Sequence, residues 1–161
     1  GLVVVGSHVG LTGRQVDALR AATSTPEIVL DVPTVLDSDR RDAHVLAVAE
    51  QAVEALATGN VVVRRGGAFV AGRDAEESLD FARRVSAAVV EVVQRIVAAR
   101  CPRFVIAKGV NRAIVRGPML PGIVSLWEPQ DGPAAGVPYI VFAGNVGDDD
   151  SLARVVTTLN S

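Results

Sequence analysis

YIVFAGNVGDDDSLARVV, residues 139–156, carries the signature of one repeating structural unit. Tyr139–Phe142 is an apolar run of strand length, Ala-Gly-Asn-Val-Gly has turn chemistry, and a run of three aspartates leads into a helical pattern over Ser151–Leu159. A buried strand that ends in a glycine-rich turn and continues as a helix is the building block of parallel α/β sheets. The unusual feature is the concentration of negative charge directly after the glycines.

The same alternation runs upstream. Leu2–Val5 is predicted as a strand and Thr12–Ala22 as a helix with Val16 and Leu19 inward. Ile28–Val32 is a second strand. Asp42 is expected to cap the next helix, in which Val45, Val48, Ala49, Val53 and Leu56 recur at three- and four-residue steps until Gly59 stops it. Val61–Val63 is a third strand, and Ala75–Ala99 is a long helix bearing Leu79, Ala82, Val85, Val89, Val93 and Ile96, ended by Pro102.

Phe104–Ala107 makes a fourth strand, followed by short strands at Ala113–Val115, Ile123–Trp127 and Tyr139–Phe142 with no helix between them. Gln130–Pro138 is the one long loop expected. The predicted fold is a three-layer α/β domain over residues 1–161, with a largely parallel sheet, helices on both faces, and late strands able to pair antiparallel at the C-terminal edge.

Composition narrows the function. Apolar residues form 49% of the 161 positions and aromatics only 4%, which describes an aliphatic core. A formal charge of −2 gives no basic excess, so a nucleic-acid partner is not expected. Cys101 is the single cysteine, which excludes an internal disulfide and a cysteine-based zinc site, and its expected role is packing. No apolar run reaches the roughly 20 residues that span a bilayer. A reducing cytoplasm is the expected location, with no membrane partner. Because Gly1 enters a strand at once, the chain is expected to be a piece of a longer protein.

In sheets of this kind ligands bind beyond the carboxyl ends of the strands, where turns run into helix N-termini. Three such turns bear glycine: Gly6-Ser7-His8, Lys108-Gly109 and Gly144-Asn145-Val146-Gly147. Each could cradle a phosphate or merely close a turn. Asp148, Asp149 and Asp150 could cap the last helix or hold a magnesium ion. Lys108 could neutralise phosphate charge or be a surface lysine. His8 could touch a ligand, and His44 is expected in solvent. The two histidines make neither a metal site nor a triad with Ser7, and Arg64-Arg65-Gly66-Gly67 could be an anion nest or a polar turn. Neither a Walker loop nor a dinucleotide glycine fingerprint occurs.

Four stretches in order, VVVGSHVGLTGRQVDAL, FVIAKG, NRAIVRGPMLPGI and YIVFAGNVGDDDSLARVV, resemble the C-terminal nucleotide-binding domain of the four-carbon acid sugar kinase family. The resemblance covers nearly the whole chain. It implies the ATP-binding half of a two-domain enzyme whose N-terminal domain binds an acid such as threonate or erythronate, with Mg2+ accompanying ATP. It places Ser7, Gly109 and Gly144 on the nucleotide, with Asn145 and Gly147 in the same closing motif, and leaves the catalytic residues unknown; Lys108 is added as a binding candidate from its position after the fourth strand. The implied partners are ATP or ADP and a small sugar acid, and a homo-oligomer is compatible with the family. A non-catalytic nucleotide- or anion-binding module is the alternative. After Lys108-Gly109 the family usually continues Gly-Ile-Thr-Ser and a helix, whereas Val110-Asn111 follow here, so additional residues are expected between Gly109 and Val110.

Overall fold

The computed structural model describes residues 1–109, 125–127 and 132–161. Six strands are described: β1 (Leu2–Val5), β2 (Glu27–Asp31), β3 (Val61–Gly66), β4 (Val105–Lys108), β5 (Ser125–Trp127) and β6 (Tyr139–Phe142). They form one sheet in the order β2-β3-β1-β4-β6-β5. Five strands are parallel, and β5 pairs antiparallel with β6 at the edge. This is the largely parallel sheet expected, with its antiparallel strand where the late part of the chain lies.

The described helices are α1 (Gly10–Thr23), α2 (Val32–Leu36), α3 (Arg41–Ala55), α4 (Ala75–Ala99) and α5 (Ser151–Asn160). Strand side chains alternate between two faces. Val4, Val63, Ala107 and Val141 meet Val45 and Val48 of α3 and Val89 and Val93 of α4. Val3, Val62, Ile106 and Ile140 meet Leu19 of α1 and Leu152 and Val156 of α5. Strands buried on both faces need continuous apolar sequence, which is why β1 and β6 read as unbroken hydrophobic runs.

Topology opens the edge where function is expected. The chain leaves β1 towards β2 with α1 on one face, then returns through β3 to β4 with α3 and α4 on the other face. Right-handed crossovers require the face to change when the direction reverses. The turns leaving neighbouring β1 and β3 therefore diverge, and a crevice forms between them at the carboxyl ends.

Some local expectations need correction. Asp42 lies inside the first turn of α3, whose N-cap is Arg40. The segment after β2 turns into α2, where the Asp31 carboxylate accepts from the Thr34 N–H at 3.0 Å and Pro33 supplies the pre-set φ of a first helical turn. That Asp-Val-Pro-Thr signal was present in the sequence and was read as strand end. His44 is not a solvent group, because its Nε2 accepts from the Asp31 N–H at 2.9 Å. Arg64 and Arg65 belong to β3 rather than to a turn, and Cys101 is exposed rather than packed.

The expected strand at Ala113–Val115, the start of the one at Ile123–Trp127 and the Gly109–Val110 junction lie outside the described residues. The 132–138 part of the expected loop is built of turns. Among the described residues no helix is long and apolar enough to cross a membrane.

Ile96 lies fully buried on α4, and Leu79 near the start of the same helix is 51% exposed. Ile96→Val should cost about 0.5–1.5 kcal/mol in urea unfolding, and Leu79→Ala less than about 0.5 kcal/mol.

Candidate functional site

Three strand exits meet at Ser7. The sheet ladder continues past the strands: the Gly6 N–H donates to the Lys108 carbonyl at 3.0 Å, and the Gly109 N–H donates to the Phe142 carbonyl at 3.2 Å. This pulls the β4 exit against the β1 exit. A Cβ on Gly109 would lie 2.6 Å from the Ser7 Cβ, and Gly109 has φ +73°. A Cβ on Gly144 would lie 2.5 Å from the Ser7 Oγ. Both positions are closed to any side chain. Ser7, Gly109 and Gly144 are thus brought together as the sequence suggested, and the glycines are required by contact with Ser7 itself.

The first turn of α1 fixes the closing turn. The Thr12 hydroxyl donates to the Gly144 carbonyl at 2.9 Å, and the Gln15 amide donates to the carbonyls of Val146 and Asp148 at 3.0 and 2.7 Å. Thr12 and Gln15 are buried polar residues on a helix face that otherwise packs Val16 and Leu19. Sequence reasoning passed over both. Their spacing of three on the inner face was the available signal. Asn145 is exposed, and Gly147 has φ +87°, with Ser151 in the space a side chain would need.

The aspartates have specific partners. The Asp148 carboxylate accepts from the Ser151 hydroxyl at 2.8 Å and from Arg154 at 2.7 and 2.9 Å. These bonds, Ser151 first and Arg154 second, hold the Asp148 carboxyl below the usual carboxylate range. Asp149 accepts from Arg14 of α1 at 2.8 Å. Asp150 is the N-cap of α5 by position, yet its side chain makes no capping bond. The cap expected from the aspartates is therefore not made, and Ser151 Oγ instead accepts from the Asp148 N–H at 2.9 Å, which closes the turn before the helix. Among the described residues no group of three metal-ligating side chains occurs.

Lys108 is not a surface lysine. It is 0% exposed, donates to the Ala143 carbonyl at 2.5 Å and lies 3.9 Å from the centre of the Phe142 ring. Burial lowers its ammonium to a pKa of about 8. The lysine therefore braces the β6 exit from beneath.

The Ser7 side of the edge is open. The Val9 N–H donates to Ser7 Oγ at 3.2 Å, while the N–H groups of Gly10 and Leu11 find no acceptor among the described residues. Unpaired N–H groups at the start of a helix, with glycine turns beside them, suit a bound anion. His8, next to Ser7, is held below its usual pKa by burial and then by Arg65 and Arg64.

A parallel α/β sheet with its glycine turns gathered at the carboxyl edge defines a class of small-anion and nucleotide binders. The family model described as "Nucleotide-binding C-terminal domain" matches residues 2–152. The chain belongs to this family, the nucleotide-binding C-terminal domain of the four-carbon acid sugar kinase proteins. No curated protein matches it.

Among solved structures, a Bordetella bronchiseptica protein of unknown function, crystallised with citrate as a domain-swapped dimer, matches at 24% identity and TM-score 0.71 over 98% of this chain and 40% of its own. A Salmonella typhimurium protein, provisionally described as a tRNA synthase, matches at 20% identity and TM-score 0.66 over 96% of this chain and 39% of its own. A Haemophilus influenzae protein matches at 16% identity and TM-score 0.60, again over 96% of this chain and 39% of its own. The chain thus spans about two fifths of the solved relatives it matches, which carry a further portion.

Two buried polar groups give direct tests. Gln15→Leu strips the Val146 carbonyl of its donor and leaves the Asp148 carbonyl with the Ser151 N–H alone, and should cost about 1–3 kcal/mol, with faster amide exchange over residues 145–150. Lys108 binds fewer protons in the folded than in the unfolded chain between pH 8 and its ordinary value of 10.5. Stability should therefore rise with pH across that window. Lys108→Met should flatten that rise in urea titrations, measured as the difference between the two pH profiles.

Proposed function

We propose that this chain is the ATP-binding half of a kinase that phosphorylates a hydroxyl of a four-carbon sugar acid of the threonate or erythronate kind. The observation that carries the reading is the convergence of Ser7, Gly109 and Gly144 beside the open N-terminus of α1, in a chain of the nucleotide-binding family. The backbone at the three turns comes close because no Cβ intervenes, which leaves main-chain N–H groups as donors to phosphate oxygens. Asn145 and Gly147 belong to the rim of the same cradle. Lys108 contributes by holding the Ala143 carbonyl, and hence the start of the glycine turn, rather than by reaching a phosphate.

ATP would supply the transferable phosphoryl group, and Mg2+ would neutralise its charge. With Asp148 and Asp149 engaged by arginines, the metal in this reading is held mainly by the phosphates. The chain's own residues bind and orient. The acceptor hydroxyl and its base belong to the further portion that the longer relatives carry. A domain that works in this way needs no catalytic side chain of its own.

Calorimetry of the chain with ADP and with ATP plus magnesium should give micromolar to millimolar binding. Ser7→Ala, which removes a hydroxyl and the Val9 bond but no core volume, should weaken it roughly three- to thirtyfold, as expected for loss of one or two hydrogen bonds to a charged ligand. No binding at millimolar nucleotide overturns the reading. For the activity, the longer gene product should transfer phosphate from ATP to threonate or erythronate. Nucleotide binding without transfer to any sugar acid would favour a non-catalytic module.

A further inference from the structure

We infer that the nucleoside of the bound nucleotide lies in the apolar cleft between the β3 exit, α2 and the first turns of α4, with Arg65 at the junction of nucleoside and phosphates. This placement rests on the nucleotide reading above and assigns a subsite that the glycine cradle alone does not define. The cleft has a volume of about 580 Å³, within the range of small-molecule sites. Val32, Leu36, Phe69, Phe81, Ala82 and Val85 line it, while His8 and Arg65 mark its polar end.

Three observations support a planar heterocycle as the occupant. First, the cleft adjoins the cradle, because His8 lines the one and its neighbour Ser7 forms the other. At strand spacings of about 4.8 Å, the exits of β3 and β6 are about 14 Å apart across β1 and β4, a span suited to an extended nucleoside di- or triphosphate. Second, the apolar face of α4 runs past the sheet. Val85 is buried, but Ala82 and Leu79, about one and two turns earlier, are left exposed, and Phe69 on the opposing loop is 93% exposed. Uncovered apolar and aromatic surface beside a polar edge is what a nucleobase would cover.

Third, Arg65 has no carboxylate partner among the described residues, unlike Arg64, which pairs with Glu27. One Arg65 amino group donates to the Gly6 carbonyl at 2.7 Å, and its Nε is buried with no acceptor. A half-buried guanidinium held in this way at a strand exit has donors left for an anion. A sugar acid is the rival occupant for such a group, but its hydroxyls have few partners in a wall of aliphatic and aromatic side chains.

The test compares ADP with inorganic tripolyphosphate, which carries phosphates but no nucleoside, by calorimetry on the chain. Ala82→Trp, at an exposed helix position, fills the cleft without entering the core and should weaken ADP binding at least tenfold while changing tripolyphosphate binding less than about twofold. Phe69→Ala should act in the same selective direction, by roughly five- to a hundredfold if it stacks on the base. Arg65→Gln should weaken both ligands. An ADP affinity unchanged in both cleft variants, or a loss that tripolyphosphate shares equally, overturns the placement while leaving the cradle reading intact. An unaltered chain that binds no ADP overturns the nucleotide reading itself and the placement with it.

Discussion

The contact between Ser7 and two glycines is the constraint on which the carboxyl edge depends. Strands β1, β4 and β6 leave the sheet side by side, and their exits close on one another only because Gly109 and Gly144 have no Cβ to meet the serine. Any larger residue would push the turns apart by more than a hydrogen bond can tolerate. The ladder bonds from Gly6 and Gly109 then continue the sheet beyond its strands, and Thr12 and Gln15 fasten the third turn to α1. One short helix face thereby fixes both the core packing and the shape of the edge.

Charge at this edge is distributed with the same economy. Three consecutive aspartates would repel a phosphate, but Arg14 and Arg154 engage two of them and offset their charge. These exposed pairs add little to stability in water. Their effect is on geometry and local potential. Lys108 sits beneath the same turn, buried between a carbonyl and an aromatic ring. Burial disfavours its charge, the carbonyl and ring offset part of that cost, and the balance leaves it titrating near 8.

The relatives share the fold at low identity and extend well beyond it. Its described edge brings main-chain N–H groups and an apolar cleft near one another. Phosphoryl transfer divides readily along this line, since holding the donor and presenting the acceptor are separable tasks.

Much of this was legible in the chain itself. Continuous apolar runs marked β1 and β6 and apolar steps of three and four residues marked α4, each to the residue, and the glycines after three of the strands marked the edge where they converge. What the sequence determined was local: period, turn chemistry and the residues able to make close backbone approaches. It could not tell that Lys108 is buried, that Asp148 and Asp149 answer to Arg154 and Arg14, or that Arg65 reaches the Gly6 carbonyl. Each of these depends on partners brought near by strand order, as when position 14 meets position 149. The cleft beside β3 was likewise invisible, because Leu79 and Ala82 follow the same helical period as the buried Val85. Only the extent of the sheet beneath α4 decides which of them it covers.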